Sequence, residues 1–197
     1  MHQIKIFSGL CNPDLAKKIA KHFGEELGNI QINRFLSQEL HVKVAEDICG
    51  KDVYVIQSCC SSDDLLELLI MIDTCRNALA WRVTAVIPYL TYMRQHTQFQ
   101  YGDPLTAKML PRLLKAAGAD HVMTMDLNCS SVVDQTHISM ENISAEPAMV
   151  QWIKQNILEW KDKGIILSTD DVGGERGHQE LCPCDPWYLL TLQRNTP

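Results

Sequence analysis

Residues 86–108 read VIPYLTYMRQHTQFQYGDPLTAK, and MTMDL follows at 123–127. An apolar run ends on Pro88, Arg94 and Gln95 come soon after, and a helix is expected to start near Pro104. A second apolar run then brings Asp126 to its tip. An Arg guanidinium is a planar fork of donors suited to phosphate oxygens. Taken singly, Arg94 also reads as a solvated surface cation and Asp126 as a strand-end cap. Their shared position just beyond strand ends is what joins them into the layout of a nucleotide site.

Alternating strands and helices must position these groups. Strands are expected over residues 4–7, 52–57, 83–88, 121–125 and 164–167. Asp14 is expected to cap a helix carrying Leu15, Ile19, Ala20 and Phe23. Over 64–79, Leu65, Leu68, Leu69, Ile72 and Cys75 share one face at helical spacing. Asp103 and Pro104 read as N-cap and first residue of a helix that ends at Gly118. A further helix opens around Ser144 and Pro147 and runs to about Trp160. The short stretches 30–32 and 40–44 read as a hairpin or as edge strands, joined through 35–39. This order predicts an α/β fold, a parallel sheet with helices on both faces. Ligands in such folds bind beyond the carboxyl ends of the strands, so the loops after Gln57, Pro88 and Met125 are the ones to watch.

Composition narrows the classes. The chain has 197 residues, 46% hydrophobic and 21% charged, an ordinary globular balance. Its formal charge of −6 argues against a nucleic-acid partner, which would need a basic stripe. No apolar run approaches the roughly 20 residues of a membrane span, so no membrane partner is expected. The amino terminus reads as a short strand rather than a secretory signal. The eight cysteines are scattered, with Cys59 and Cys60 adjacent and Cys182 and Cys184 flanking a proline. They read as reduced thiols of a cytoplasmic protein. After Gly174 the sustained periods stop. A main domain over 1–172 and an irregular tail over 173–197 are therefore expected.

Read together, the segments resemble the amino-terminal half of the ribose-phosphate pyrophosphokinases (phosphoribosyl pyrophosphate synthetases). The blocks that carry the resemblance include IKIFSG at 4–9, SQE at 37–39, DVYVIQS at 52–58, LLELLIMI at 65–72 and RVTAVIPY at 82–89. They continue with RQ at 94–95, PLTAKM at 104–109, AGADHVMTMDL at 117–127 and ENISAEPAMVQWIKQNILEW at 141–160. The resemblance implies a phosphoribosyltransferase-like amino-terminal domain. It implies Mg2+-dependent transfer of pyrophosphate from ATP to ribose 5-phosphate, giving phosphoribosyl pyrophosphate for nucleotide biosynthesis. It also implies assembly, either as a homo-oligomer or with other synthetase subunits.

The same resemblance assigns residues. The loop holding Phe35, Ser37, Gln38 and Glu39 matches the segment that touches the ATP adenine of a neighbouring subunit, with Ser37 replacing the usual Asn. Arg94, Gln95 and His96 match the ATP site, His96 standing where the family has Asp. Metal positions fall on Asp126, Asn128, His137 and Glu141. Asn128 replaces a His that serves the metal-bound phosphates, and His137 replaces an Asp. Asp171 matches an acidic residue near the ribose phosphate. From His96 to Gly102 the family's basic stretch is replaced by HTQFQYG. Losing those cations removes stabilisation that phosphoryl transfer uses. The resemblance therefore also admits a catalytically inactive subunit that binds or regulates active synthetase oligomers.

Overall fold

A computed structural model describes residues 3–93, 105–127, 138–157, 167–168 and 190–191. Contacts divide the chain into two compact units, Met1–Ile143 and Ser144–Pro197.

The first unit is built on five parallel strands in the order β1-β4-β5-β6-β7. These are β1 (Ile4–Ser8), β4 (Asp52–Ile56), β5 (Arg82–Ile87), β6 (His121–Met125) and β7 (Ser139–Ile143). Between β1 and β4 the chain makes an antiparallel hairpin, β2 (Ile30–Arg34) and β3 (Leu40–Val44). Among the described residues, helices α1 (Pro13–His22), α2 (Ser62–Asn77) and α3 (Thr106–Ala117) cover the sheet.

Strand alternation sorts the two faces. Phe7, Val53, Val55, Val83, Ala85, Ile87 and Val122 point one way, into a core with Leu68, Met71 and Ile72 of α2 and Leu110 and Leu114 of α3. Ile6 and Ile56 point the other way, against Ala16 and Ala20 of α1. Helices thus lie on both faces, as the near-continuous apolar strands required. Full burial of each large apolar side chain contributes about 1.5–3 kcal/mol, and this packing fixes the sheet register.

Several boundaries differ from the expectation. The cap of α1 is Asn12, whose Oδ1 accepts from the Leu15 N–H at 3.3 Å, with Pro13 in the first turn; Asp14 lies inside the helix. Proline suits that first turn because it lacks the N–H that would go unsatisfied there. Helix α2 begins at Ser62, two residues early, under a reciprocal cap between Ser61 and Asp64. Helix α3 follows Leu105, which gives no side-chain cap, while Asp103 and Pro104 lie outside the described residues. It stops at Gly118, whose φ of 110° needs glycine, and an added Cβ would press on Arg76.

Strand β7 was not foreseen: it pairs in parallel with β6 although most of its residues are exposed. In the second unit, α4 spans Glu146–Asn156, shorter than the expected run to Trp160, whose last residues lie outside the described ones. There too β8 (Leu167–Ser168) pairs in parallel with β9 (Leu190–Thr191), inside the tail expected to be irregular.

Candidate functional site

A cavity of about 800 Å3 opens beyond the carboxyl ends of β5 and β6. Its walls are residues 88–93 after β5, Thr106 at the start of α3, and residues 125–127 at the tip of β6. This is where an open parallel sheet takes its ligands. The Thr106 hydroxyl donates to the Tyr92 carbonyl at 2.8 Å, tying α3 to the loop. Tyr89 and Tyr92 are half exposed, while Leu90 and Met93 are buried beneath them.

Two wall residues hold left-handed backbone, Tyr92 at φ 62° and Asp126 at φ 49°. Such angles are uncommon away from glycine and cluster at functional sites. Asp126 is held there by its neighbours. Its N–H donates to the Ile143 carbonyl at 3.0 Å, and the next N–H, of Leu127, donates to Asn142 Oδ1 at 2.9 Å. Asp126 is exposed, and it is the one charged residue lining the cavity among the described residues. No basic side chain lines it among them.

Of the other expected site residues, Glu141 lies on β7 and Phe35, Ser37 and Glu39 on the β2–β3 hairpin. Glu141 opposes Met123 in the register of β6 and β7. Its carboxylate turns to the His121 ring, with Oε2 3.7 Å from Nε2, and His121 Nδ1 lies 2.8 Å from the Ser139 hydroxyl. Asp126 follows the last residue of β6, three residues beyond Met123. Among the described residues, Glu141 and Asp126 belong to no group of three or more clustered ligating side chains. Arg94, Gln95, His96, Asn128, His137 and Asp171 lie outside the described residues.

Phe35, Ser37 and Glu39 sit together at the tip of the β2–β3 hairpin. The Phe35 N–H donates to the Glu39 carbonyl at 3.0 Å, and the Ser37 hydroxyl donates to Glu39 Oε2 at 2.9 Å. Gln38 takes φ 68° to close the turn, and its carbonyl accepts from Arg34 at 3.0 Å. Phe35 is 53% exposed and Leu36 wholly so, an apolar tip held outward on a fastened base. On the base, Ile30, Ile32, Val42 and Val44 pack on the main core.

A second polar cluster, at the carboxyl ends of β1 and β4, was not foreseen. Gln57 and Glu67 are buried there, 1% and 4% exposed. Glu67 Oε1 accepts from the Leu10 N–H at 2.8 Å and from Gln57 Nε2 at 3.0 Å. Gln57 Oε1 accepts from the Cys11 N–H at 3.2 Å. Burial holds the Glu67 carboxyl above its usual range, against the pull of the Leu10 N–H. The sequence did carry a signal: an amide ends an apolar strand, and an acid interrupts the buried face of α2. Beside this cluster, Cys11 Sγ lies 3.6 Å from Cys60 Sγ. Burial, then the Cys60 hydrogen bond, pushes the Cys11 thiol up to about 11, and burial takes Cys59 and Cys75 to about 12.

A parallel α/β domain with a cavity at its strand tips is a fold class in which ligands commonly bind at that edge. Within that class the sequence is specific: residues 4–118 match the model of the N-terminal domain of ribose phosphate pyrophosphokinase. The chain belongs to that family. It is also similar to the crystal structure of phosphoribosylpyrophosphate synthetase from Mycobacterium smegmatis, at 25% sequence identity and a TM-score of 0.85. That likeness covers 98% of this chain and 65% of the synthetase, so the chain spans about two thirds of its length. No described helix is long and apolar enough to cross a membrane.

Proposed function

We propose that this chain acts as a ribose-phosphate pyrophosphokinase, holding Mg2+ and ATP beyond β5 and β6 for pyrophosphate transfer to ribose 5-phosphate. The observation that carries the reading is the cavity of about 800 Å3 with Asp126 at its rim, in a chain of this family. In the family's reaction the ribose 1-hydroxyl attacks the β-phosphorus of ATP. The bond from that phosphorus to the bridging oxygen breaks, and AMP leaves with the oxygen.

Asp126 suits the metal: Mg2+ takes oxygen donors and is often held by one or two carboxylates plus substrate phosphates. When bound, the ion neutralises charge on the phosphate oxygens and aligns them. Glu141, turned toward His121, is assigned no metal contact in this reading. Arg94 supplies the guanidinium fork to phosphate, with Gln95 and His96 beside it. Tyr89, Tyr92 and Met93 form walls that keep water from the phosphates. Phe35, on its outward-held hairpin tip, reaches the ATP of a neighbouring subunit in a cytoplasmic oligomer, with Ser37 and Glu39 shaping the turn.

Titration calorimetry with ATP tests the reading. Micromolar binding that needs Mg2+ and weakens at least tenfold in Arg94→Ala supports it, and absence of ATP binding overturns it. One observation favours a second reading, a catalytically silent subunit: no Lys or Arg occurs between Gln95 and Lys108, and Asn128 replaces a His. A synthesis assay on the chain alone and mixed with an active synthetase separates the two. Turnover alone sinks the silent subunit; changed turnover only in the mixture supports it.

A further inference from the structure

We infer that Cys11, Cys60 and Asp64 form a binding site for a thiophilic divalent cation of the zinc class, separate from the cavity beyond β5 and β6. One ligand atom from each of the three residues lies within 4.8 Å of the others. Among the described residues this is the one group of three His, Cys, Asp or Glu side chains so placed. Cys11 and Cys60 come from the two loops that the parallel pairing of β1 and β4 sets side by side, after Ser8 and after Ile56, and Asp64 from the first turn of α2.

The sulfur spacing fits a metal. Two thiolates at about 2.3 Å from a tetrahedral zinc ion lie about 3.8 Å apart. The two sulfur atoms here are 3.6 Å apart. A disulfide bond would need them at about 2.05 Å.

The backbone is fastened for ligation. The Cys11 N–H is held by Gln57 Oε1 at 3.2 Å, and the Cys60 N–H by Asp64 Oδ2 at 3.1 Å. Asp64 Oδ2 also accepts from the Ser61 N–H and the Ser61 hydroxyl, both at 2.8 Å. These bonds all land on Oδ2 and orient the carboxylate. Such outer contacts tune metal sites as much as the ligands do. Two thiolates and one carboxylate suit zinc or cobalt rather than magnesium, which wants oxygen alone. The three protein ligands leave a fourth position for water. On binding, each thiol releases its proton to solvent, and the net charge of ligands and ion falls to −1 (two thiolates and one carboxylate against a divalent ion).

The test uses the full chain, reduced and metal-free, titrated with Co2+ as a spectroscopic stand-in. One ion per chain is expected, with the near-ultraviolet absorption of thiolate-to-cobalt charge transfer, bleached when Zn2+ displaces it. Cys11→Ser and Cys60→Ser each abolish that absorption, Asp64→Asn weakens binding roughly tenfold while still able to cap α2, and Cys182→Ser with Cys184→Ser leaves it intact. Three results overturn the inference: no thiolate band in the parent chain, a band that survives Cys11→Ser, or a band lost only with Cys182 and Cys184. Circular dichroism of Cys11→Ser confirms that loss of the band is not loss of fold.

Discussion

Beyond β1 and β4 the loops are fastened to one another; beyond β5 and β6 they stand around a cavity of about 800 Å3. Both ends belong to one parallel sheet, and both follow apolar strands. At the first end, a buried amide and a buried carboxylate take up the N–H groups of Leu10 and Cys11. At the second, two residues hold left-handed backbone and Asp126 is exposed. Parallel topology offers a ligand-ready edge at every strand tip. Which tip stays open is decided by a few polar side chains that either close the loops or leave them apart. The ends meet at Cys59, whose N–H donates to the Tyr89 carbonyl at 2.7 Å and whose carbonyl accepts from Thr91 at 3.1 Å.

The strongest way to break this contrast is to force the fastened end apart. A Cβ on Gly9 would collide with the Gln57 amide and come within 2.9 Å of Glu67 Oε1. Both side chains are buried and packed, so neither can swing clear. Gly9→Ala is expected to destabilise the fold by about 2 kcal/mol, as overpacking does, read as a lowered urea midpoint. ATP affinity at the open end should stay unchanged. A parallel fall in affinity would mean that the Cys59 link makes the two ends one cooperative unit.

The complementary change touches the open end alone. Asp126→Asn removes a charge but keeps a residue that tolerates left-handed backbone, and the N–H bond to Ile143 remains. Stability should move by less than about 0.5 kcal/mol. Affinity for ATP with Mg2+ should fall roughly tenfold, about 1.4 kcal/mol, with little change for ATP without Mg2+. Calorimetry with and without the ion checks this, and an equal loss in both conditions would place Asp126 outside the metal's reach.

Much of this contrast was legible in sequence, and the remainder was not, for physical reasons. Apolar runs and helical spacing placed β1, β4, β5, β6, α2 and the end of α3, because burial on both faces writes itself into residue type. The cap of α1 was misplaced because Asn12 and Asp14 are both good caps, and only Pro13 in the first turn decides between them. Strand β7 reads SMENI and is held mainly by its hydrogen bonds to β6, so no hydrophobic pattern announced it. Glu141 meets His121 only through that register. The Cys11–Cys60 contact spans 49 residues and follows no spacing rule; it exists because two parallel strands end side by side. Arg94 and Asp126 carried the family's pattern, whereas Gln57 and Glu67 looked like ordinary element ends until the fold brought them together.

The smallest expected effect sharpens the contrast most directly, because it asks whether the fastened end holds a carboxylate against its solvation. Burial raises Glu67 above its ordinary value of 4.5. The folded state then binds the proton more tightly than the unfolded chain does. Stability must therefore fall as pH rises from about 4.5 through the raised value, and level off above it. Glu46 acts the other way: burial lifts it, but the Lys5 ammonium 2.8 Å away and the Asn29 N–H bring it below its ordinary value. Its contribution is present at neutral pH and lost as pH falls through that lowered value. Comparing parent with Glu67→Gln cancels the Glu46 term, and the glutamine carbonyl can still accept from Leu10 and Gln57. Melting temperatures measured from pH 4 to pH 8 should show the variant gaining on the parent as pH rises, then holding a constant lead. Parallel curves would mean that Glu67 is solvated when the protein is folded, and that the first end is as open as the second.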